Sequence, residues 1–193
     1  MRITFVNQKG GVGKSTVCIA IGAGLAEAGY RVAFDDSDPQ GSVRFWAREV
    51  SKLPMVEDGG DPEVILCDTP GHLSEADARG HEQFCSLIRG SQRLVIVSEK
   101  SLFSIHATTP MVRLVHAHRS ADARVYLLLN KVRPRQALRE NQEQQLAFRL
   151  GVPLLTPYIP QAAPFEHLQT KGLAALKRRH LEIVLEIAKE LVR

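Results

Sequence analysis

Ten residues near the start of the chain have the types and spacing that grip phosphate: Asn7-Gln8-Lys9-Gly10-Gly11-Val12-Gly13-Lys14-Ser15-Thr16. Glycines at 10, 11 and 13 let the backbone curl until several N–H groups point inward. Such a nest, with a helix N-terminus behind it, binds phosphate oxygens. Lys14 would lie across the β- and γ-phosphates of a nucleoside triphosphate, and Ser15 would offer its hydroxyl to Mg²⁺. The hydroxyl or backbone N–H of Thr16 suits the α-phosphate. The loop departs from the usual G-x-x-x-x-G-K-[ST] in one respect. Gln8 stands where the first glycine belongs, and a second lysine, Lys9, follows it.

Acids that could serve a metal–phosphate site lie further on. Asp68 closes the apolar run Glu63–Asp68 (EVILCD), where a carboxylate can hold a Mg²⁺-bound water. Asp35-Asp36-Ser37-Asp38-Pro39-Gln40 puts three carboxylates at the end of another apolar run. Like charges that close are unfavourable without a cation or basic partners. Asp36 and Asp38 are two apart, so on an extended chain they face the same way. One could touch the metal's surroundings while the other orients an attacking water.

These groups need a scaffold that gathers strand ends. Strands are expected at Arg2–Asn7, Arg31–Asp36, Glu63–Asp68, Arg93–Ser98, Arg124–Asn130 and Val152–Leu155. Helices are expected at Lys14–Ala28, Ser42–Val50, Leu73–Arg89, Ser104–His118, near Gln136–Leu150, and from about Gly172 to Val192. Lys52–Pro62 reads as loop, and a proline-rich connection precedes the last helix. Alternating strands and helices imply an α/β fold: a mostly parallel twisted sheet with helices on both faces, in one domain over residues 1–193. In such sheets ligands bind at the carboxyl ends of the strands.

The runs KGGVGKST, DSDPQGS after the second strand and CDTPG after the third resemble the ParA/MinD family of deviant Walker A P-loop ATPases. The element order follows that family over nearly the whole chain, and the short plasmid-partition type of ParA is most similar. The resemblance implies a P-loop NTPase domain using ATP and Mg²⁺. It implies that Lys9 reaches across a dimer interface to the partner's phosphates. It implies that Asp38 activates water, that Asp36 and Asp68 surround Mg²⁺ with Ser15, and that Asn130 contacts the adenine. It places the base-flanking loop at Pro157–Pro164, with Pro160 in the nucleotide site. Asp68-Thr69-Pro70-Gly71 departs from the family's usual third-strand ending and has the D-x-x-G form of GTPases. A GTPase, however, also needs N-K-x-D. Here Asn130-Lys131-Val132-Arg133 has arginine where that aspartate belongs, which favours ATP.

The family implies ATP-dependent dimers that bind DNA without sequence preference and are stimulated by a ParB-like or cargo-adaptor protein. The charge distribution fits. Residues 1–130 carry 14 Lys/Arg against 15 Asp/Glu, whereas residues 131–193 carry 11 against 6. Arg133, Arg135, Arg139 and Arg149 belong on or beside one helix, and Lys171, Lys177, Arg178 and Arg179 near another. MinD-like relatives instead end in a basic amphipathic helix that lies on the membrane. The tail from Leu181 to Arg193 has balanced charge and no Phe or Trp, so it reads as a packing helix with no stable membrane association. The alternatives are a MinD-like membrane-cycling regulator and a small-molecule ligase or kinase of related fold.

The hydrophobic fraction of 44% and charged fraction of 24% are those of a soluble globular chain. No apolar run nears the roughly 20 residues of a membrane span, and the first strand runs straight into the loop, so no signal peptide is expected. Cys18, Cys67 and Cys85 have no metal or redox spacing, and Cys18 and Cys67, in apolar runs, read as buried thiols. The expected location is the cytoplasm, on the nucleoid.

Overall fold

Runs of β-branched and aliphatic residues form six strands: β1 (Arg2–Val6), β2 (Val32–Asp36), β3 (Val64–Asp68), β4 (Arg93–Glu99), β5 (Arg124–Asn130) and β6 (Leu154–Leu155). The structure, a computed structural model, describes residues 1–72, 77–133 and 139–193. The strands make one sheet in the order β2-β3-β1-β4-β5-β6, and every neighbouring pair is parallel. The order reverses at β1, between β3 and β4, and the crevice at that point is where such sheets bind ligands.

Helices α1 (Lys14–Glu27), α2 (Ser42–Phe45), α3 (Ala78–Arg89), α4 (Leu102–His118), α5 (Glu140–Leu150), α6 (Ala163–Lys171) and α7 (Arg178–Val192) cover the sheet. Side chains alternate along each strand, as the pleat dictates. Ile3, Phe5, Val95, Val97, Tyr126 and Leu128 meet α1, α6 and α7 in one core. Val6, Leu94, Ile96, Leu127 and Leu129 meet α3 and α4 in the other, with Leu146 and Leu150 of α5 packed against it. Both faces are apolar, which is why the strands carry continuous hydrophobic runs.

α1 lies close to the sheet because of its glycines. A Cβ on Gly22 would stand 2.4 Å from Phe34 Cζ, and one on Gly24 would stand 2.6 Å from Val184 Cγ1 of α7. Gly22→Ala should therefore destabilise the protein by about 1–3 kcal/mol, through overpacking. Urea unfolding of the variant measures this directly. The contact between Gly24 and Val184 also shows what the apolar stripe of α7 does. Val184, Ile187, Ala188 and Leu191 are buried against the domain, so the last helix packs as expected.

Four elements differ from the sequence reading. The expected helix Ser42–Val50 begins as α2 but widens after Phe45 into a π-type turn, Trp46–Ser51. That turn holds Trp46 in the core, where its indole N–H donates to the Leu168 carbonyl at 2.8 Å and its ring meets Phe34 edge-on. The loop Lys52–Pro62 contains a 3₁₀ turn, Val56–Asp58, and buries Met55 beside Phe34. The proline-rich connection contains α6, with Pro164 in its first turn, where a missing N–H removes no helical bond. The last helix starts later than expected, at Arg178, because a 3₁₀ turn at Gly172–Ala175 interrupts it. The starts expected near Leu73 and Gln136 lie outside the described residues.

Candidate functional site

The loop between β1 and α1 curls through left-handed backbone at Gly11 (φ +76°) and Gly13 (φ +89°). Gly13 caps the N-terminus of α1, so the helix's free N–H groups open towards the loop. A Cβ at Gly13 would stand 2.3 Å from Asn130 Nδ2. Only glycine fits there, on both counts.

The end of β5 clamps this loop. Asn130 is buried, and its amide donates to the Val12 carbonyl at 2.8 Å. Lys131 follows, and its ammonium donates to the Gly11 carbonyl at 2.6 Å. Lys131 was read from the sequence only as half of a base-recognition motif. Its place against the loop depends on a left-handed backbone at Lys131 (φ +55°), which no residue type there announces.

Lys14 is buried beside two acids. Burial lowers its pKa, and the charges of Asp68 and Asp38 raise it. Ser15 donates its hydroxyl to Asp68 Oδ2 at 2.6 Å. Asp68 Oδ1 is buried with no partner. An orphaned, fully buried carboxylate oxygen beside the Ser15 hydroxyl fits a hydrated cation. Among the described residues no group of three or more His, Cys, Asp or Glu is arranged for a metal. A cation here would therefore take most of its ligands from phosphate oxygens and water, as Mg²⁺ does.

Burial, the largest influence, pushes the Asp68 pKa up to about 7, against the opposing hydrogen bond from Ser15. The folded protein then binds more protons than the unfolded chain between about pH 4 and 7. Stability from this group is present at low pH and is lost as pH rises through that window. Nucleotide-free Asp68→Asn should be more stable than the parent at pH 8, by on the order of 1–3 kcal/mol, with the difference vanishing near pH 4. Denaturant unfolding at the two pH values tests this, and parallel pH profiles would contradict it.

The acidic run after β2 does not present a row of parallel carboxylates. Asp35 pairs with Arg2. Asp36 Oδ1 accepts the backbone N–H of Asp38 at 3.1 Å, and Oδ2 accepts that of Arg44 at 2.8 Å. The strand ends at Asp36, and the chain turns there rather than continuing extended. Asp36 fastens the turn that leads into α2. Asp38 lies past the strand end, with Oδ1 accepting the Gln40 N–H at 3.0 Å. The expectation of extended chain failed because an aspartate followed by a free N–H two residues on forms a local turn.

A cavity of 1760 Å³ opens over the loop. Its lining includes Gly10, Gly11, Gly13, Lys14, Ser15 and Thr16, together with Asp38, Asn130 and Pro160. Thr16 also accepts from Gln169 of α6 at 3.4 Å. Lys9 does not line the cavity. Its backbone N–H donates to Asn7 Oδ1 at 3.0 Å, and its ammonium donates to Ser104 Oγ at 2.6 Å, outside the cavity wall. Glu99, which holds both Lys9 and Lys131, was not a sequence candidate.

The basic residues fall into two sets. Arg133 is exposed and bonds Gln161 at 3.2 Å, beside the loop that carries Pro160. Arg139 caps α5. Lys171 ends α6, Lys177 caps α7, and Arg178 pairs with Glu182. Arg135 lies outside the described residues. α5 and α7 pack on opposite faces of the sheet, so the two sets do not share a helical face. The cysteines are buried, and burial drives the Cys67 thiol up to about 12.

A family model described as the CobQ/CobB/MinD/ParA nucleotide binding domain matches residues 3–175. The maintenance of carboxysome distribution protein A of Halothiobacillus neapolitanus is 27% identical over 194 residues, covering 91% of this chain and 86% of that protein. Among solved structures, the MinD cell division protein of Aquifex aeolicus superposes with a TM-score of 0.72 at 17% identity, covering 99% of this chain and 96% of that one. Cobyrinic acid a,c-diamide synthase of Mycobacterium smegmatis, solved with ADP and magnesium, superposes with a TM-score of 0.69 at 20% identity, covering 100% and 94%.

Proposed function

We propose, because the chain belongs to the CobQ/CobB/MinD/ParA nucleotide-binding family, that it is a ParA/MinD-type ATPase that dimerises around ATP and positions a large cargo. Lys14 and the loop N–H groups hold the phosphates. Ser15 and Asp68 would hold hydrated Mg²⁺, which would supply positive charge beside the phosphates. Asp36 shapes the turn that brings Asp38 to the attacking water. Asn130 keeps the loop closed and, with Pro160, flanks the base. Lys9 completes the site of a second copy.

One observation carries the dimer. Lys9 belongs to the phosphate loop, yet its ammonium lies outside the cavity that Lys14 enters, at Ser104. A loop lysine turned away from its own cavity supports a role at another subunit's phosphates. Hydrolysis is then slow in one subunit and accelerated when charge arrives from the other, as with an arginine finger.

Exposed Arg133, Arg139, Lys171, Lys177 and Arg178 support non-specific DNA binding, which would weaken steeply with salt. The name of the Halothiobacillus relative supports a cargo such as a protein assembly, reached through an adaptor protein while the ATPase cycles on the nucleoid. A second reading has one observation in its favour. The cavity runs past the phosphate loop along α3, to His81 and Leu87, and could hold a small acceptor for a ligase or kinase. Sizing of the Asp38→Ala protein with ATP and with ADP separates the two. A dimer with ATP alone supports the partition-type reading. A monomer in both, turning over a small acceptor in its wild-type form, selects the enzyme.

A further inference from the structure

Lys9 is fixed at its root and held at its tip. Its backbone N–H bonds Asn7, which is fully buried and in turn donates to the Val97 carbonyl at 2.7 Å and to Thr108 Oγ1 at 3.2 Å. The backbone is thus tied to β4 and α4. The tip is held by Ser104 Oγ at 2.6 Å and by Glu99 Oε2 at 3.8 Å. Ser104 is itself placed by the α4 cap, through Ser101 Oγ at 2.7 Å, and lies 3.5 Å from the same Glu99 oxygen. The other Glu99 oxygen takes Lys131 at 3.3 Å, and Lys131 bonds the Gly11 carbonyl. One carboxylate therefore sits between the two lysines, each about a third to a half exposed. With its root fixed, Lys9 can leave only by swinging its side chain.

We infer that Glu99 is a positioning residue that holds Lys9 inside its own subunit, so that releasing this contact is a step in forming the ATP-bound dimer. The inference rests on the reading that Lys9 acts in the other subunit. A half-exposed ion pair of this kind is worth about a threefold bias. Each protomer must release its own Lys9, so the effect on dimer formation is the square, about tenfold. The latch lowers the fraction of subunits ready to dimerise at low concentration and leaves the completed dimer's contacts unchanged.

Two measurements on full-length protein test this. The first is the rate at which an amine-reactive reagent labels Lys9 in nucleotide-free monomer, read by peptide mass mapping. Glu99→Ala should label Lys9 about threefold faster than wild type. Glu99→Gln, which keeps the shape and loses the charge, should do likewise. An unchanged or slower rate overturns the inference. The second is the midpoint concentration for ATP-dependent dimerisation by sedimentation. Glu99→Ala should lower it about tenfold, and should do so again when Lys131→Met is the background. A gain that vanishes in that background means that Glu99 acts through Lys131 and overturns the inference, as does an unchanged midpoint in a wild type that dimerises. A wild type that never dimerises with ATP overturns the parent reading, and the gating step with it. The labelling rate then decides by itself whether Glu99 holds Lys9.

Discussion

Lys9→Ala is expected to cut ATP hydrolysis by about a thousandfold while leaving ATP affinity within about twofold, the pattern of a lost transition-state contact. The affinity is spared because Lys9 does not line its own cavity. Its ammonium bonds Ser104 and approaches Glu99. Removing it vacates no contact with the subunit's own phosphates. What is lost is a positive charge brought to the transferring phosphoryl group by a second copy. Turnover of wild type should rise more than linearly with protein concentration, and turnover of the variant should not. Equilibrium binding of a fluorescent ATP analogue and a steady-state concentration series make the comparison. A variant that binds ATP poorly, with a wild type whose turnover stays linear in protein concentration, would place Lys9 in its own site.

Lys14→Ala is expected to do the opposite: affinity for ATP should fall by about two to three orders of magnitude, from the loss of two or more charge-assisted hydrogen bonds. Lys14 is 6% exposed and flanked by Asp68 and Asp38. Its burial lowers its pKa, and only those acids, or a phosphate, offset the cost of a buried ammonium. The same variant removes the lysine charge that draws the Asp68 pKa down. Asp68 should then titrate still higher, and the nucleotide-free variant should lose more stability above pH 7 than wild type does. Calorimetric titration with ATP and Mg²⁺ reads the first effect and denaturant unfolding at pH 8 reads the second. Two lysines five residues apart would thus have separable signatures, one in binding and one in turnover.

The phosphate loop was legible because glycine, lysine and hydroxyl residues leave little else for that spacing to do. The parallel sheet was legible from continuous apolar runs alternating with helical ones. Asp68 was legible as the acid closing a strand, although its orphaned oxygen follows from tertiary packing. What was not legible depends on backbone turns. Asp36 and Asp38 read as neighbours on an extended chain, whereas the strand ends at Asp36 and the Asp38 N–H folds back onto the Asp36 carboxylate. Lys131 reads as a base-recognition residue until its left-handed backbone places it on the Gly11 carbonyl. α6 was hidden by Pro160 and Pro164, though a proline at a helix start is itself a signal. The two basic sets read as one net charge, and only the packing of α5 and α7 assigns them to opposite faces. Glu99 carried no motif. It matters because β4 ends beside the loop, which is a fact of sheet order.

The central claim is that each site is completed by the other subunit's Lys9, and a mixing experiment tests it most directly. Lys9→Ala and Asp38→Ala should each be nearly inactive alone. A mixed dimer has one site with its own Asp38 and the partner's Lys9, and one site with neither. Equal amounts, mixed at high concentration with ATP and Mg²⁺, should recover about a quarter of wild-type hydrolysis, since random pairing makes half the dimers mixed and each has one working site. Hydrolysis no greater than the sum of the two separate proteins would mean that Lys9 acts within its own subunit, and would contradict the account.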